Sequence, residues 1–424
     1  MSEPLSPRRV AALVLVRILT ARCTLDKALE DVPEFGALDG PDRAFARLLA
    51  STVLRELGRI DKGLAPFLKS PIERFDPAVA ALLRVGAAQC WCLGTPAHAA
   101  VGETVAAARQ EGATRRAAGL INAVLRRAAR DRRAFDAAPE HSVWPDWLVE
   151  RLRGSLGDEG LARLAAAQRR MPELHITARD PEAAAGALDA RIMASGSLAL
   201  PVGAVEGLAG YADGAWWVQD AAAALPARLL DVSEGEPVVD LCAAPGGKTM
   251  QLAMAGACVS AIDRSRPRLK RLAANLERTQ LSGRVKTVTA SAETWRPAAR
   301  VGKLLVDAPC SALGTLRRHP EGAWIKRPED IARFPDIQSR MLAAAADMLI
   351  PGGRLVYCVC TPLRAEGEEV ISAALDTGRW RRDPPRRSDL PGFEHALTAA
   401  GDILTLPGAG EDHDAFFIAR LTRL

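Results

Sequence analysis

Two short runs in the chain carry residue types able to do covalent chemistry. Asp307-Ala308-Pro309-Cys310-Ser311 and Tyr357-Cys358-Val359-Cys360-Thr361-Pro362 each place a cysteine just beyond an apolar run of strand type. Strands of a parallel sheet open their C-terminal ends onto one cleft, so Cys310 and Cys360 are expected to share a site. One cysteine at a strand end is most often filler. Two at neighbouring ends, one of them after Asp-Ala-Pro, suit methylation of a pyrimidine at C5. That carbon is too weak a nucleophile to take a methyl group unaided. A thiolate that adds to C6 turns the ring into an enamine, and C5 then attacks the methyl donor. Loss of the C5 proton and expulsion of the thiolate complete the reaction. Asp307, beside N3 of a cytosine, can hydrogen-bond or protonate the ring.

A third run, Asp240-Leu241-Cys242-Ala243-Ala244-Pro245-Gly246-Gly247-Lys248-Thr249, lies between an apolar strand and the helix after it. Small residues there let the backbone approach a ligand, and helix N–H groups point into the site. Gly247-Lys248-Thr249 mimics the end of a phosphate-binding loop, but that loop needs glycine where Cys242 stands. The dinucleotide pattern G-x-G-x-x-G is absent. A nucleoside without phosphates fits better. Asp263, closing the second strand, can accept both ribose hydroxyls, and Asp240 can face the ammonium of an amino-acid tail. These features suggest S-adenosylmethionine. A nucleotide-binding enzyme and a purely structural turn stay open as alternatives.

The elements that must position these residues are legible from periodicity. Strands are expected at 237–241, 257–263, 284–289, 303–307 and 353–357, with helical stretches between them, which predicts a mainly parallel sheet covered on both faces. Residues 6 to about 133 instead repeat apolar positions at helical spacing and predict an all-helical domain. Its last helix, 115–133, holds seven arginines against Asp131. Leu120, Ile121, Val124 and Leu125 form its apolar stripe. That helix reads either as a solvated basic face or as an RNA-phosphate patch. From about 172, Leu174-His175-Ile176-Thr177-Ala178 alternates like a strand and opens a small α+β stretch. The boundaries expected are a helical domain over 1–140, a connector over 141–215 and the α/β domain over 216–424.

The chain has 424 residues, of which 48% are hydrophobic and 25% charged, so it has enough apolar material for two or three globular domains and is not a disordered chain. The net charge of +5 permits a nucleic-acid partner without demanding one. Arginine outnumbers lysine 48 to eight, a bias that a GC-rich genome would also produce, so arginine clusters count for less. No run of about 18 apolar residues exists to span a membrane, and no secretory pattern opens the chain, so a cytoplasmic location is the expectation. The eight cysteines form no C-x-x-C pair and the six histidines are scattered, which argues against a zinc site. Cys23, Cys90, Cys92 and Cys258 read as core. Cys358 is expected to point to the opposite side of its strand from Cys360. Trp216 and Trp217 read as packing at a domain junction, His319 as RNA contact or plain loop, and Lys248 as a contact to the cofactor or the cleft.

On these motifs the chain resembles the Sun (Fmu) family of RNA cytosine-C5 methyltransferases, in the branch with a NusB-like helical domain in front. The likeness covers nearly the whole chain. It is strongest at Val239–Thr249 and at Asp307–Ser311 with Arg317-Arg318-His319-Pro320. Weaker support comes from Val218-Gln219-Asp220-Ala221-Ala222, Asp414–Ala419 and Ile121–Arg127. The resemblance implies a multidomain enzyme: an all-α NusB-like domain, a small α+β connector and an α/β Rossmann-like methyltransferase domain. It implies S-adenosylmethionine as cofactor, held by Cys242, Ala243, Ala244, Pro245, Gly246, Gly247, Lys248, Asp263 and Asp307. It implies Cys360 as nucleophile and Cys310 as the group that helps release product, with Asp307 beside them. The implied substrate is a cytosine in small-subunit ribosomal RNA; a monomer is expected separately, because no long exposed apolar helix asks for a partner. Transfer RNA, or a non-catalytic RNA-binding assembly factor, are the alternatives. The sequence departs from the family where Ser291 replaces an adenine-contacting Asp, where Ser-Thr-Cys-Ser has become Cys358-Val359-Cys360-Thr361, and where Pro-Glu-Glu-Asn-Glu has become Ala365–Glu369.

Overall fold

The computed structural model describes residues 5–110, 112–201, 203, 205–408 and 411–424. They divide into two compact units. One comprises residues 1–170 with Leu316–Pro328; the other comprises Met171–Thr315 and Glu329–Leu424. The division falls at Arg170, so residues 141–215 are shared between the units.

The first unit is helical. Its main helices are α1 (Pro7–Ala21), α2 (Gly40–Leu64), α3 (Pro77–Trp91), α4 (Ala97–Arg109), α5 (Gly112–Arg130) and α6 (Asp146–Arg169). Pro sits in the first turn of α1, α2 and α3, where the missing N–H is not needed. Asp39 caps α2 by accepting from Asp42 N at 2.9 Å. Leu49, Val53, Leu57, Ile60 and Leu64 of α2 recur at helical spacing and are buried in one core with Val14, Ile18, Leu83 and Leu125. In α5 the buried side is Thr114, Ala118, Ile121, Val124, Leu125 and Ala128. Leu120, expected in the stripe, is 42% exposed because it lies one residue off that face. All seven arginines of 115–133 are exposed, although Arg132 and Arg133 follow the helix end and pair with Asp136 and Asp131.

Leu316–Pro328, which follows the Cys310 run in sequence, belongs to this helical unit. Arg55 of α2 is 7% exposed and donates to the Arg317 carbonyl at 2.8 Å and the Gln168 carbonyl at 2.6 Å. The buried Glu321 carboxylate accepts from Leu25 N. Arg317 is thus built into the unit, whereas the His319 side chain is 61% exposed.

The second unit holds two sheets. The smaller is antiparallel, in the order β2 (Arg191–Ile192), β3 (Leu198–Leu200), β1 (Leu174–Ala178), β4 (Trp216–Val218). Trp216 packs in its core, while Trp217, on the opposite side of the strand, packs in the core of the larger sheet. Both indoles are buried and unavailable for stacking on a base.

The larger sheet contains β5 (Pro237–Leu241), β6 (Cys258–Asp263), β7 (Val285–Thr289), β8 (Val301–Asp307), β9 (Leu349–Val359), β10 (Trp380–Arg382), β11 (Ile403–Thr405) and β12 (Phe416–Arg423). Its order is β10-β12-β9-β8-β5-β6-β7, with β11 on β12. Strands β9, β8, β5, β6 and β7 run parallel, and β12 runs antiparallel to β9. The near-continuous apolar strands fit burial on both faces. Helices α7 (Ala221–Leu230), α8 (Gly247–Met254), α9 (Arg266–Arg278), α10 (Phe334–Met348) and α11 (Glu368–Asp376) pack against the sheet. The order reverses between β5 and β8, where such sheets bind ligands.

Cys258 is exposed, against expectation, because β6 begins at an open sheet end where its partner Pro237 is exposed too. Cys90, Cys92 and Cys23 are half-buried and pack against the helical core.

Two motifs that looked weak in sequence tie these layers together. Gln219 accepts from Thr177 Oγ1 (2.8 Å) and Trp217 Nε1 (2.9 Å) and donates to Gln251 of α8 (2.6 Å). Asp220 caps α7 through Ala222 N, accepts from Asp414 N at 3.1 Å, and lies 3.2 Å from His175 Nδ1.

Candidate active site

A cavity of about 240 Å³ opens at the C-terminal ends of β5, β6, β7, β8 and β9. Cys242, Asp263, Ser291, Asp307, Pro309 and Cys360 are among its walls. The backbone turns there because Cys242 takes a left-handed conformation (φ 62°) and Gly246 takes φ 109° at the start of α8. A Cβ at Gly246 would stand 3.0 Å from Leu272, so glycine answers both conformation and space. Ala243 and Ala244 are buried beneath the turn, and Ala243 N extends the β5–β6 pairing by donating to the Ile262 carbonyl at 3.1 Å. Pro245, Gly247 and Lys248 shape the turn and the first turn of α8 without forming the cavity wall.

Asp263 closes β6, 3% exposed and on the cavity wall. It accepts from Ser265 N (2.8 Å) and Ala244 N (3.3 Å), and Arg268 lies 3.4 Å away. These contacts fix the carboxylate, which has lone pairs enough to accept further hydroxyls. Ser291 and Glu293 follow β7 on the same wall, and the Glu293 carboxylate accepts from Arg340 at 2.7 Å.

Asp240, expected to face a ligand ammonium, is fully buried and is not part of the wall. Its Oδ2 accepts from Thr249 Oγ1 at 2.6 Å, strapping β5 to α8. Burial pushes its carboxyl up to about 7, against the opposing pull of the Thr249 hydrogen bond. A carboxyl raised in the folded state contributes stability that is full below the unfolded value near 4 and is lost as pH rises to about 7. Asp240→Asn keeps an acceptor for Thr249 and cannot ionise. The variant is therefore expected to gain thermal stability over the parent as pH goes from 5 to 8, measured as the difference between their melting temperatures at each pH.

Asp307 ends β8. Its Oδ2 takes a hydrogen bond from Lys248 Nζ at 2.8 Å, and its Oδ1 lies 3.4 Å from Cys358 Sγ. Burial alone would lower the Lys248 pKa, but Asp307, Cys358 and Cys360 together raise it, so the ammonium stays charged. The Lys248 ammonium also sits 5.5 Å over the Phe416 ring. Cys358 is buried on the same side of β9 as Cys360, not the opposite one: residues two apart in a strand share a face. Burial, then Asp307, pushes its thiol well above the ordinary range. Cys242 is pushed up to about 12, by burial first and then by the carboxylates of Asp307, Asp263 and Asp240. Neither thiol is suited to attack.

Cys310 and Cys360 meet. Their sulfurs are 3.3 Å apart, with either able to donate. Cys360 lines the cavity and Cys310 does not. The hydrogen bond with Cys360, burial, the charge of Cys360 and then Glu366 drive the Cys310 thiol well above its ordinary value. Gly314 holds the pair in register. Its N–H donates to the Cys360 carbonyl at 2.9 Å, and its own carbonyl accepts from Ala415 N at 3.0 Å. A Cβ at Gly314 would run into the Ala415 carbonyl, so the close passage of the Asp414-Ala415-Phe416 run requires glycine there.

Sequence reasoning missed Glu293, Arg264 and Arg268 on the wall, and missed the buried group around Glu366. The signal for Glu293 was its place two residues after Ser291; Glu366 stood on a glutamate of the family run at Ala365–Glu369, but its partners are 28 and 55 residues away and left no local trace.

The geometry also separates the open alternatives for the ligand. Lys248, which would be the phosphate-binding lysine of such a loop, is instead engaged by Asp307 at 2.8 Å and is not part of the cavity wall. A cationic sulfonium and uncharged ribose hydroxyls suit it. No described helix is long and apolar enough to cross a membrane.

Residues 227–422 match the family model for the 16S rRNA methyltransferase RsmB/F, and residues 5–130 match that of the NusB family. A ribosomal RNA small subunit methyltransferase B from Pseudomonas putida is 34% identical over 440 aligned positions, covering 99% of each chain. The crystal structure of PH0851 superposes with a TM-score of 0.75 at 23% identity, covering both chains fully. That of NSun6 from Pyrococcus horikoshii with SFG gives 0.56 at 19% identity over 66% of this chain and 98% of the other. These two establish a shared fold. With a full-length relative at this identity, the chain belongs to the RsmB/F family of S-adenosylmethionine-dependent methyltransferases, with a NusB-family helical domain in front.

Proposed function

We propose that the protein methylates C5 of a cytosine in small-subunit ribosomal RNA through a covalent adduct on Cys360. The observation that carries this reading is the 3.3 Å approach of the Cys310 and Cys360 sulfurs at the end of the Asp307 strand. S-adenosylmethionine supplies a methyl group on a sulfonium centre. Cys242, Asp263 and Ser291, all on the cavity wall, would hold it, with Asp263 accepting from the ribose hydroxyls.

The cytosine leaves its stack to reach Cys360. The Cys360 thiolate forms a bond to C6, and the electron pair moves onto C5, which takes the methyl group. Asp307 in its protonated form gives its proton to N3 as charge builds on the ring and takes it back when the adduct breaks down, and the Lys248 ammonium, 2.8 Å away, pairs with the carboxylate formed in between. The C5 proton then passes to water, the C5–C6 double bond re-forms and the C6–S bond breaks. The electron pair returns to Cys360, stabilised by the hydrogen bond from the Cys310 thiol. Three features favour Cys360 over Cys310 as nucleophile: its place on the cavity wall, the nearby ammonium, and the pressure that keeps Cys310 protonated.

The exposed arginines of α5 present cations without intervening acids between Arg115 and Arg130, which suits RNA phosphates. Exposed large apolar side chains such as Leu120, Ile192 and Ile350 lie on separate elements, which supports a monomer.

The test is methyl transfer from labelled S-adenosylmethionine to protein-free small-subunit ribosomal RNA, with transfer RNA and DNA alongside, followed by digestion to nucleosides. Label is expected as 5-methylcytidine from the ribosomal RNA alone. Label in transfer RNA alone would overturn the substrate and keep the chemistry. Cofactor binding with no transfer to any of the three would point to an assembled particle as substrate.

A further inference from the structure

A closed polar group lies beneath the two cysteines. Glu366, Gln338, Ser311, Thr361 and Tyr357 are each 0% exposed. The Glu366 Oε2 accepts from Ser311 N at 2.8 Å and from Gln338 Nε2 at 3.3 Å. The same Gln338 amide donates to the Pro309 carbonyl at 3.0 Å. One buried carboxyl therefore holds Ser311 directly and Pro309 through Gln338, the residues immediately before and after Cys310. Ser311 Oγ in turn lies 3.0 Å from Thr361 Oγ1, next to Cys360, and the Tyr357 hydroxyl donates to the Glu366 carbonyl at 2.6 Å. Burying a carboxyl in an apolar core is unfavourable unless its hydrogen bonds do something a methyl group could not.

We propose that Glu366 is the positioning residue for Cys310: its carboxyl clamps the 309–311 turn so that Cys310 meets Cys360. The hydrogen bond with Cys360 and burial, then the charges of Cys360 and Glu366, raise the Cys310 thiol, while the Ala312 backbone lowers it. Two chemically similar thiols thereby receive different work: Cys360 lies near the Lys248 ammonium, Cys310 near a buried acid. A protonated Cys310 cannot compete for C6 and is the donor that the departing Cys360 sulfur needs. This inference rests on the adduct mechanism proposed above.

The experiment uses the full chain with Glu366→Gln, which keeps an acceptor and removes the charge, and Glu366→Ala, which removes both. Alkylation of Cys310 by iodoacetamide against pH, in a Cys360→Ser background, reads the charge without any methyl transfer. Glu366→Gln is expected to shift the alkylation midpoint to lower pH; an unchanged or higher midpoint would overturn the assignment. Adduct levels on denaturing gels read the positioning. In the Cys360-containing enzyme, Glu366→Ala is expected to slow turnover at least tenfold and to accumulate protein–RNA adduct as Cys310→Ala does. A Glu366→Ala protein with parental melting temperature, parental turnover and no adduct would equally overturn it. If no variant, Cys310→Ala included, ever forms adduct, the mechanism has failed, whereas the alkylation shift still judges Glu366 alone.

Discussion

Cys360→Ala is expected to abolish methyl transfer, by roughly 10³-fold or more, the scale on which loss of a covalent nucleophile is felt. RNA and cofactor binding should persist, because the alanine removes a sulfur from the cavity wall and leaves Asp263 and the 242–247 turn in place. Cys310→Ala is expected to behave differently. The first half of the reaction needs only Cys360, so one methyl group is transferred, and the protein–RNA adduct then persists for want of the thiol 3.3 Å from the departing sulfur. Label should therefore stay with a slowly migrating protein band on a denaturing gel. If Cys310→Ala abolished transfer and Cys360→Ala trapped adduct, the roles would be reversed. The distinction is sharp because the two sulfurs touch, so simple disruption of the pocket would affect both variants alike.

Lys248→Met is expected to reduce transfer by about 10²-fold or more, the range lost when one preorganised electrostatic partner is removed from an active site. The Lys248 ammonium is 2.8 Å from Asp307 Oδ2 and lies in the field of Cys360. Without it, the Asp307 carboxylate loses its counter-ion, and negative charge at Cys360 faces a second negative charge unopposed. Methionine retains most of the stem that packs towards Phe416, so the loss reports charge more than volume. Cofactor affinity, followed by calorimetry, should change far less than the transfer rate, since Lys248 is not on the cavity wall. An equal fall in affinity and rate would make Lys248 a cofactor-binding residue instead.

Much of this was legible in the sequence because it depends on local order. Short, near-continuous apolar runs marked β5, β6, β7, β8 and β9, and the strand ends carried Asp263, Asp307, Cys310 and Cys360 to one edge of the sheet. A parallel sheet leaves no other choice: every strand meets its following loop on the same side. Period 3.6 likewise marked the helical domain and the buried face of α5, although Leu120 fell outside that face.

Contacts between residues distant in sequence were decided only by the tertiary structure. Whether Asp240 lined the cavity or lay beneath it depended on how α8 packs, because Thr249 reaches back to it. Whether Lys248 was free for phosphate depended on β8 lying beside β5, which delivers Asp307 to its ammonium. The division of labour between two cysteines of equal chemistry depended on Glu366, brought beneath Cys310 from 56 positions away by the packing of α10 and β9. Periodicity records which face of an element is buried; it carries no record of which buried polar groups will meet, since hydrogen bonds and charge act over a few ångströms of space whatever the separation along the chain.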